Sequence, residues 1–263
     1  MELNFNGKSI LITGGTHGIG KSTAILFSKL GGRVIVIGRN EENAKKLIEE
    51  SNGDIQFIKS DLSSLESVKS LCERLDKEFT DVDVLINNAS RNSRFSILDT
   101  NIGEWEEMLT LNLTATFLIS KTVARNMIQR KVGGKIINVG AVQALMPIYS
   151  SFPYSVVKGG LISMTKSLAV DLSKFGIQAM YLMLGPIYAK PDSEEPPADF
   201  DNRAATLLGR SGRKHEVANL IVFLSSELNS FMTGNVIVLD GGRLISRKAD
   251  PVEIEKNLFD SHH

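Results

Sequence analysis

Seven short apolar runs, mostly unbroken rather than alternating with polar residues, set the main constraint on how this chain can fold. They lie at 9–13, 33–37, 55–59, 84–87, 135–139, 178–184 and 236–239, and they are rich in β-branched residues. A strand that is apolar on both sides has to be covered on both sides, which is the condition of a buried parallel sheet. Between the runs lie stretches with helical spacing, for example 19–30, 41–51, 64–78, 105–130 and 156–173. The alternation predicts an α/β architecture, a doubly wound parallel sheet of about seven strands with helices on both faces.

The first run leads directly into Thr13-Gly14-Gly15-Thr16-His17-Gly18-Ile19-Gly20, and a helix is expected to begin near Lys21. Glycines between a strand and a helix let the backbone turn tightly and approach a pyrophosphate, whose charge the helix N-terminus favours. The placement, more than the glycines themselves, points to a dinucleotide. Gly14, Thr16, His17, Gly18, Ile19 and Gly20 are the candidate cradle. Gly15, Gly20, Lys21 and Ser22 also satisfy the spacing of a nucleoside-triphosphate loop. That reading needs Mg²⁺ ligands on later strands and leaves the rest of the chain's pattern unexplained. The expected fold is therefore a single-domain Rossmann-type sheet. Residues 1–242 are read as one dinucleotide-binding and catalytic domain, and 243–263 as a C-terminal extension.

The second run ends at Ile37-Gly38-Arg39-Asn40. About 20 positions past the glycines, an acidic side chain would hold the ribose hydroxyls of NAD. Gly38 stands there, with Arg39 beside it. A guanidinium suits the 2′-phosphate of NADP, and His17 offers a second donor, so NADP(H) is the expected cofactor. The plainer readings are a solvated loop cation and a bystander imidazole.

Composition removes several other classes. Thirty basic and thirty acidic side chains give zero formal net charge and no basic stripe, so nucleic acid and anionic membranes are not expected partners. Cys72 is the one cysteine, which excludes an internal disulfide and a thiolate metal site; no metal is expected. No apolar segment approaches the roughly 18 residues of a membrane span, and the N-terminus does not resemble a signal peptide. The expected location is cytoplasmic. His262-His263 is compatible with the stub of a tag and is given no metal role.

Tyr154-Ser155-Val156-Val157-Lys158 places a phenol and an ammonium four residues apart, on one helix face. A neighbouring cation lowers a phenol's pKa and makes it a usable acid or base near neutral pH. By itself this spacing is common. In order along the chain, however, stand Thr13-Gly14 with Gly18 and Gly20, Asp61-Leu62, Asn87-Asn88-Ala89-Ser90, Asn112, Tyr154 with Lys158, and Asp240-Gly241-Gly242. With these marks the chain resembles the classical short-chain dehydrogenase/reductase family over about 7–242. The resemblance implies that Asp61 and Leu62 flank the adenine and that Asn88 and Ala89 border the cofactor ribose. It further implies that Tyr154 is the proton donor, that Lys158 holds the nicotinamide ribose and that Asn112 positions a relay water. Gly185 and Ile187, after the strand expected at 178–184, join the cofactor set.

The chain departs from that family at three places on one side of the site. Where a serine normally stands, 13 residues before the tyrosine, it has Ala141; losing one such contact typically lowers rate by about 10²–10³. Ser150, Ser151 and Gln143 are the polar residues near it. The usual Pro-Gly reads Leu184-Gly185-Pro186-Ile187, and Ala189 takes the place of a common threonine. Three readings follow: a carbonyl reductase or alcohol dehydrogenase; an enoyl-thioester (enoyl- or dienoyl-CoA or carrier-protein) reductase; and a cofactor-binding regulatory protein with weakened catalysis. The second draws on the polar loop Ser90-Arg91-Asn92-Ser93-Arg94, which is suited to a carrier phosphate or simply to water. A substrate loop is expected at about 185–202, which holds four prolines and five acidic residues. The partners expected are a small-molecule substrate and further copies of the chain in a homodimer or homotetramer, since the stretches 105–130 and 156–173 carry more apolar residues than one buried stripe needs. The stretch 254–259 reads either as a small amphipathic helix that reaches a neighbouring subunit or as a frayed tail.

Overall fold

A computed structural model describes residues 3–51, 55–190, 196–197, 205–251 and 254. Its strands are β1 (Ser9–Thr13), β2 (Arg33–Gly38), β3 (Ile55–Lys59), β4 (Val84–Asn87), β5 (Gly134–Ala141), β6 (Ile177–Leu184), β7 (Ile187–Tyr188), β8 (Gly212–Arg213) and β9 (Val236–Leu239). The seven strands that correspond to the apolar runs form one parallel sheet in the order β3-β2-β1-β4-β5-β6-β9. β7 and β8 make a separate parallel pair.

Alternate residues of each strand serve opposite faces, which explains why the runs are apolar throughout. Ile10, Ile12, Val34 and Val36 join Phe27 and Ile221 in one core. Leu11, Ile35 and Ile37 join Leu75, Ile119 and Met127 in the other. The first core is roofed by helices α1 (Gly18–Lys29) and α7 (Lys214–Ser225). There Phe5 and Phe27 meet edge to face, 4.9 Å between ring centroids. The second core is covered by α3 (Leu65–Glu78) and α5 (Ala115–Gln129). Each isoleucine so buried stabilises the fold by about 1.5–3 kcal/mol relative to exposure. The strand order across the sheet reverses between β1 and β4, and the crevice beyond the strand C-termini at such a point is where ligands sit in this architecture.

The remaining helices are α2 (Glu41–Glu50), α4 (Ile102–Leu109) and α6 (Phe152–Leu172). Three helix boundaries differ from expectation. The helix after the glycine loop begins at Gly18, not near Lys21. α6 begins at Phe152, four residues before the expected start, with Pro153 in its first turn, where a missing N–H does no harm. The single helix expected at 105–130 is interrupted by a π-helical turn, Thr110–Thr114. Within it, Asn112 Nδ2 donates to the Met108 carbonyl and Thr116 Oγ1 to the Asn112 carbonyl. Side chains that bond back to carbonyls one turn earlier compete with the helical ladder, and apolar spacing carries no sign of that. Most of the substrate loop expected at 185–202 lies outside the described residues, as do 262–263 and all of 254–259 except Ile254. Among the described residues no helix is long and apolar enough to cross a membrane.

Candidate active site

The glycine loop is pressed against the segment that follows β4. Gly14 and Gly18 have left-handed backbones, φ +63° and +55°, and a Cβ on Gly14 would lie 2.9 Å from Ala89 Cα. Thr13 Oγ1 accepts from the backbone N–H groups of Asn88 and Ala89, each at 3.0 Å. Asn88 Nδ2 donates to the carbonyls of Thr13 and Gly14 at 3.0 and 3.1 Å. Below this clamp, Asn87 Nδ2 reaches Ser120 Oγ and Asn138 Oδ1, and Asn138 Nδ2 reaches Thr165 Oγ1. The ends of β1, β4 and β5 are thus tied to α5 and α6 by buried amides. Thr13, Asn138 and Thr165 were not singled out as site residues in the sequence, because their partners lie far along the chain.

The helix that follows the loop is left open. α2, α3 and α4 are capped by Asn40, Ser64 and Asn101, each accepting from a first-turn N–H, and each has an acidic residue in the first turn. α1 has neither a side-chain cap nor an acidic residue there. Its first-turn donors therefore lack an internal anion and suit a pyrophosphate. Beside them lies a cleft of about 240 Å³ lined by Gly14, Thr16, His17, Gly38, Arg39, Asp61, Leu62, Ala89 and Ser90 among others. A dinucleotide fits this chemistry. His17 and Arg39 are both exposed at its rim, and Arg39 Nη1 is 3.8 Å from Asp61 Oδ2. Burial raises the Asp61 carboxyl, but hydrogen bonds from Ser63 and the charge and hydrogen bond of Arg39 outweigh it and hold it below its ordinary value. Ile19 turns its side chain to the core under α1. Gly185 and Ile187 do not line the cleft. Gly185 packs on Asp240 and donates to the Leu239 carbonyl, and Ile187 lies in β7. Ala189 sits against Gly18, whose Cβ, if present, would be 3.1 Å from the Ala189 carbonyl oxygen.

At the C-terminal end of β5, α6 supplies Tyr154 and Lys158. Lys158 is 3% exposed. Its Nζ donates to the Val139 carbonyl at 3.1 Å and lies 5.5 Å from the centroid of the Tyr154 ring. Burial lowers the Lys158 ammonium to about 8. Burial raises the Tyr154 phenol to about 12, against which only a hydrogen bond with Ser90 acts. The spacing of the two residues implies a phenol drawn down by the lysine; here desolvation dominates, and the ammonium is held on a backbone carbonyl instead. Asn112, 1% exposed in the π-turn, accepts from Ser90 Oγ at 2.8 Å through Oδ1.

On the other wall, Ala141 has no hydroxyl, but its backbone N–H donates to Tyr181 Oη at 3.2 Å. Tyr181 donates in turn to the Lys158 carbonyl at 3.1 Å. It is wholly buried, and burial pushes its phenol up. Its ring occupies space that a Cβ on Gly140 would fill. A tyrosine inside an apolar strand reads as core, and only the register of β5 on β6 reveals what its oxygen reaches. Ser151 does not stand in for the missing serine, since its Oγ is shared between the Ile148 carbonyl and Ser155. Arg91, a candidate for a carrier phosphate, is paired with Glu104 and Glu107 at 2.9 and 3.1 Å.

This arrangement has known relatives. The chain matches the short chain dehydrogenase family over residues 8–198 and belongs to it, an oxidoreductase family that binds a nicotinamide cofactor. It is 35% identical over 253 residues to an uncharacterized oxidoreductase of Thermotoga maritima, covering 91% of this chain and 96% of that one. It is 34% identical over 251 residues to the 3-oxoacyl-(acyl-carrier-protein) reductase of Aquifex aeolicus, with coverages of 92% and 99%. The solved L-sorbose reductase of Gluconobacter frateurii, complexed with NADPH and L-sorbose, is similar with a TM-score of 0.84 at 26% identity, over 95% of this chain and 100% of that one.

Proposed function

We propose that the protein is an NADP(H)-dependent carbonyl reductase, working in reverse as an alcohol dehydrogenase, with Tyr154 as proton donor and acceptor. The observation that carries this reading is the placement of Tyr154 and Lys158 on one face of α6, 5.5 Å apart from ring centroid to Nζ, at the end of the sheet where α1 starts uncapped. When bound, the dinucleotide supplies or takes up the hydride. Tyr154 passes its phenolic proton to the substrate oxygen, and a phenol near 12 is reliably protonated at neutral pH, as reduction requires. Lys158 has three donors; with one on the Val139 carbonyl, the others are available to the nicotinamide ribose. Asp61 and Leu62 take the adenine, Asn88 and Ala89 the ribose, Gly185 and Ile187 the far end of the cofactor, and Asn112 the relay water.

Arg39 is the reason for preferring NADP over NAD. A Cβ on Gly38 would lie 2.9 Å from Thr16 Cγ2, so a carboxylate-bearing residue at position 38, to hold a 2′-hydroxyl, would have to displace the Thr16 side chain. The contact of Arg39 with Asp61 is long and exposed, and a phosphate dianion would outcompete it. The similar L-sorbose reductase was solved with NADPH bound, which supports the same choice. A second reading, an enoyl-thioester reductase, is favoured by Ala141, because a phenol that stabilises an enolate needs no serine beside it. The paired state of Arg91 weakens it. We further infer a homodimer or homotetramer: Phe117 on α5 and Val156 and Val170 on α6 are apolar and open to solvent, Val170 at 77%. A cytoplasmic location follows from the same reading.

The test is titration of NADPH and NADH into the protein, then turnover against ketones and enoyl thioesters with the wild type, Tyr154→Phe and Ala141→Ser. Tight NADPH binding, ketone reduction that vanishes in Tyr154→Phe, and faster ketone reduction in Ala141→Ser are expected. Turnover that survives in Tyr154→Phe refutes the assignment of the acid.

A further inference from the structure

The cleft suited to an anionic dinucleotide carries carboxylates of its own. Among the described residues, the ionisable groups that line it are His17, Arg39, Asp61, Arg91 and Glu107. The guanidiniums and carboxylates among them form two ion pairs of different kinds. Arg39 and Asp61 meet at 3.8 Å with both side chains open to solvent, a contact loose enough to be given up to a ligand. Arg91 is held firmly. Its Nη2 lies 2.9 Å from both oxygens of Glu104 and 3.1 Å from Oε2 of Glu107. The two glutamates stand one turn apart on α4, and the Glu104 side chain is only 10% exposed. Arg91 Nε is buried without a hydrogen-bond partner, a cost that the contacts through Nη2 have to offset. The guanidinium cannot turn to a phosphate without stranding Glu104, because a nearly buried carboxylate needs its partner.

We infer that Arg91 is a positioning residue for cofactor binding, which holds Glu104 and Glu107 so that the carboxylates of α4 do not repel the phosphates of the dinucleotide. The inference rests on the reading of this cleft as the dinucleotide site and deepens it. With Arg91 in place, two guanidiniums face two carboxylates along the cleft wall, and Glu104 lies behind. Without it, Arg39 alone stands against Asp61 and Glu107, and a pyrophosphate would enter a field of its own sign. The position of Arg91 is set by the backbone, since it follows the segment whose Asn88 and Ala89 amides Thr13 Oγ1 holds. The two arginines then divide the work: Arg39 selects for a 2′-phosphate, and Arg91 governs affinity for either cofactor. The competing account makes Arg91 an anchor for α4, whose Trp105 stacks on Phe152 at 5.9 Å and whose Met108 carbonyl accepts from Asn112. An anchor is lost when either end is removed. A charge mask ceases to be needed once the carboxylates are gone.

The deciding experiment is calorimetric titration of NADPH and NADH into four proteins: wild type, Arg91→Met, the double variant Glu104→Gln/Glu107→Gln, and the triple variant that combines all three changes. Arg91→Met is expected to weaken both cofactors by about tenfold at low salt. Most of that loss should disappear in about 1 M KCl, where charges are screened within about 3 Å. The double variant frees the guanidinium and should bind both cofactors about three- to tenfold more tightly than wild type. The triple variant should return to within about threefold of wild type. A triple variant as weak as Arg91→Met overturns the role of Arg91, because the carboxylates are gone and the defect is not. A loss in Arg91→Met that is untouched by salt overturns it too. So does a double variant that binds no more tightly than wild type, a result that decides the matter even where Arg91→Met fails to fold. Wild-type protein that binds neither cofactor overturns the reading of the cleft itself, and the role of Arg91 with it.

Discussion

Replacing Tyr181 by phenylalanine removes one oxygen from the place where β5, β6 and α6 meet. Tyr181 Oη accepts from the Ala141 N–H at 3.2 Å and donates to the Lys158 carbonyl at 3.1 Å. Ala141 is buried, so the change strands a donor away from water, at a cost of about 1–3 kcal/mol, and forfeits a second bond with a net value of about 0.5–1.5 kcal/mol. The ring keeps its packing, and a total near 2 kcal/mol is expected. For a chain of this size each kcal/mol moves Tm by about 2–4 °C, giving a fall of about 4–8 °C at matched protein concentration. Urea midpoints measured on the same samples give the free energy directly. Because the lost oxygen also joins Ala141 to the backbone of Lys158, kcat should fall while NADPH affinity holds. The packing half of the reasoning has its own check. Gly140→Ala would drive a methyl group into the Tyr181 ring, an overpacking that costs about 1–3 kcal/mol or more. In a Tyr181→Val background that cost should shrink by at least about 1 kcal/mol, a coupling that a double-mutant cycle reads. A loss below about 0.5 kcal/mol in Tyr181→Phe would mean that the Ala141 N–H is satisfied elsewhere. Strict additivity of the pair would refute the steric argument.

Three further outcomes are expected. Arg39→Ser should weaken NADPH binding by about 10–100-fold, the worth of one charge-assisted hydrogen bond to the 2′-phosphate, and leave NADH nearly unchanged; fluorescence titration of Trp105 with both cofactors checks it, and equal losses would remove the phosphate argument. Lys158→Met should abolish turnover yet raise Tm at pH 7, because a buried ammonium lowered to about 8 is held protonated at a cost on the order of 3 kcal/mol. The unfolded chain binds the proton more tightly than the folded one, so wild-type stability climbs as pH rises from about 8 towards the ordinary lysine value, and the Tm gap to Lys158→Met should close over that window. Glu216, brought to about 2 chiefly by its hydrogen bond with Arg210, stabilises the start of α7 above the ordinary glutamate range and loses that effect as pH falls through about 2. Glu216→Gln should therefore unfold about 1 kcal/mol more easily at pH 7, a figure reduced for solvent screening of a half-exposed pair, and the difference should fade in urea melts taken towards pH 2.

The sheet was legible because parallel strands buried on two faces leave a strong mark: residues such as Ile10 and Leu11 are neighbours in sequence yet serve different cores, and both must be apolar. The cradle was legible for a similar reason, since Gly14 and Gly18 adopt backbones that other residues avoid. What stayed hidden was set by side-chain oxygens and amides rather than by periodicity. The π-turn at Thr110–Thr114 divides a stretch whose apolar spacing is continuous, and it places Asn112 in the interior, facing the site. Arg91 reads as an exposed cation until Glu104 and Glu107, one turn apart on α4, are seen to hold it.

Residues that stand far apart in the sequence are connected in space around the end of β5. Ala141 removes a hydroxyl from the end of β5. Tyr181, 40 residues on, sends its oxygen to the Ala141 backbone and to Lys158, and Gly140 leaves room for its ring. Ser90, 51 residues before Ala141, puts a hydroxyl against Asn112. No local spacing rule links positions 90, 141 and 181, because what brings them together is the adjacency of β4, β5 and β6 in the sheet. If that adjacency maintains the chemistry, the site tolerates loss of the β5 hydroxyl only while the Tyr181 oxygen holds Ala141 to the backbone of Lys158. Restoring serine at 141 should then relieve the kcat defect of Tyr181→Phe more than it improves the wild type, whereas a chain that had simply lost catalysis would respond equally little in either background.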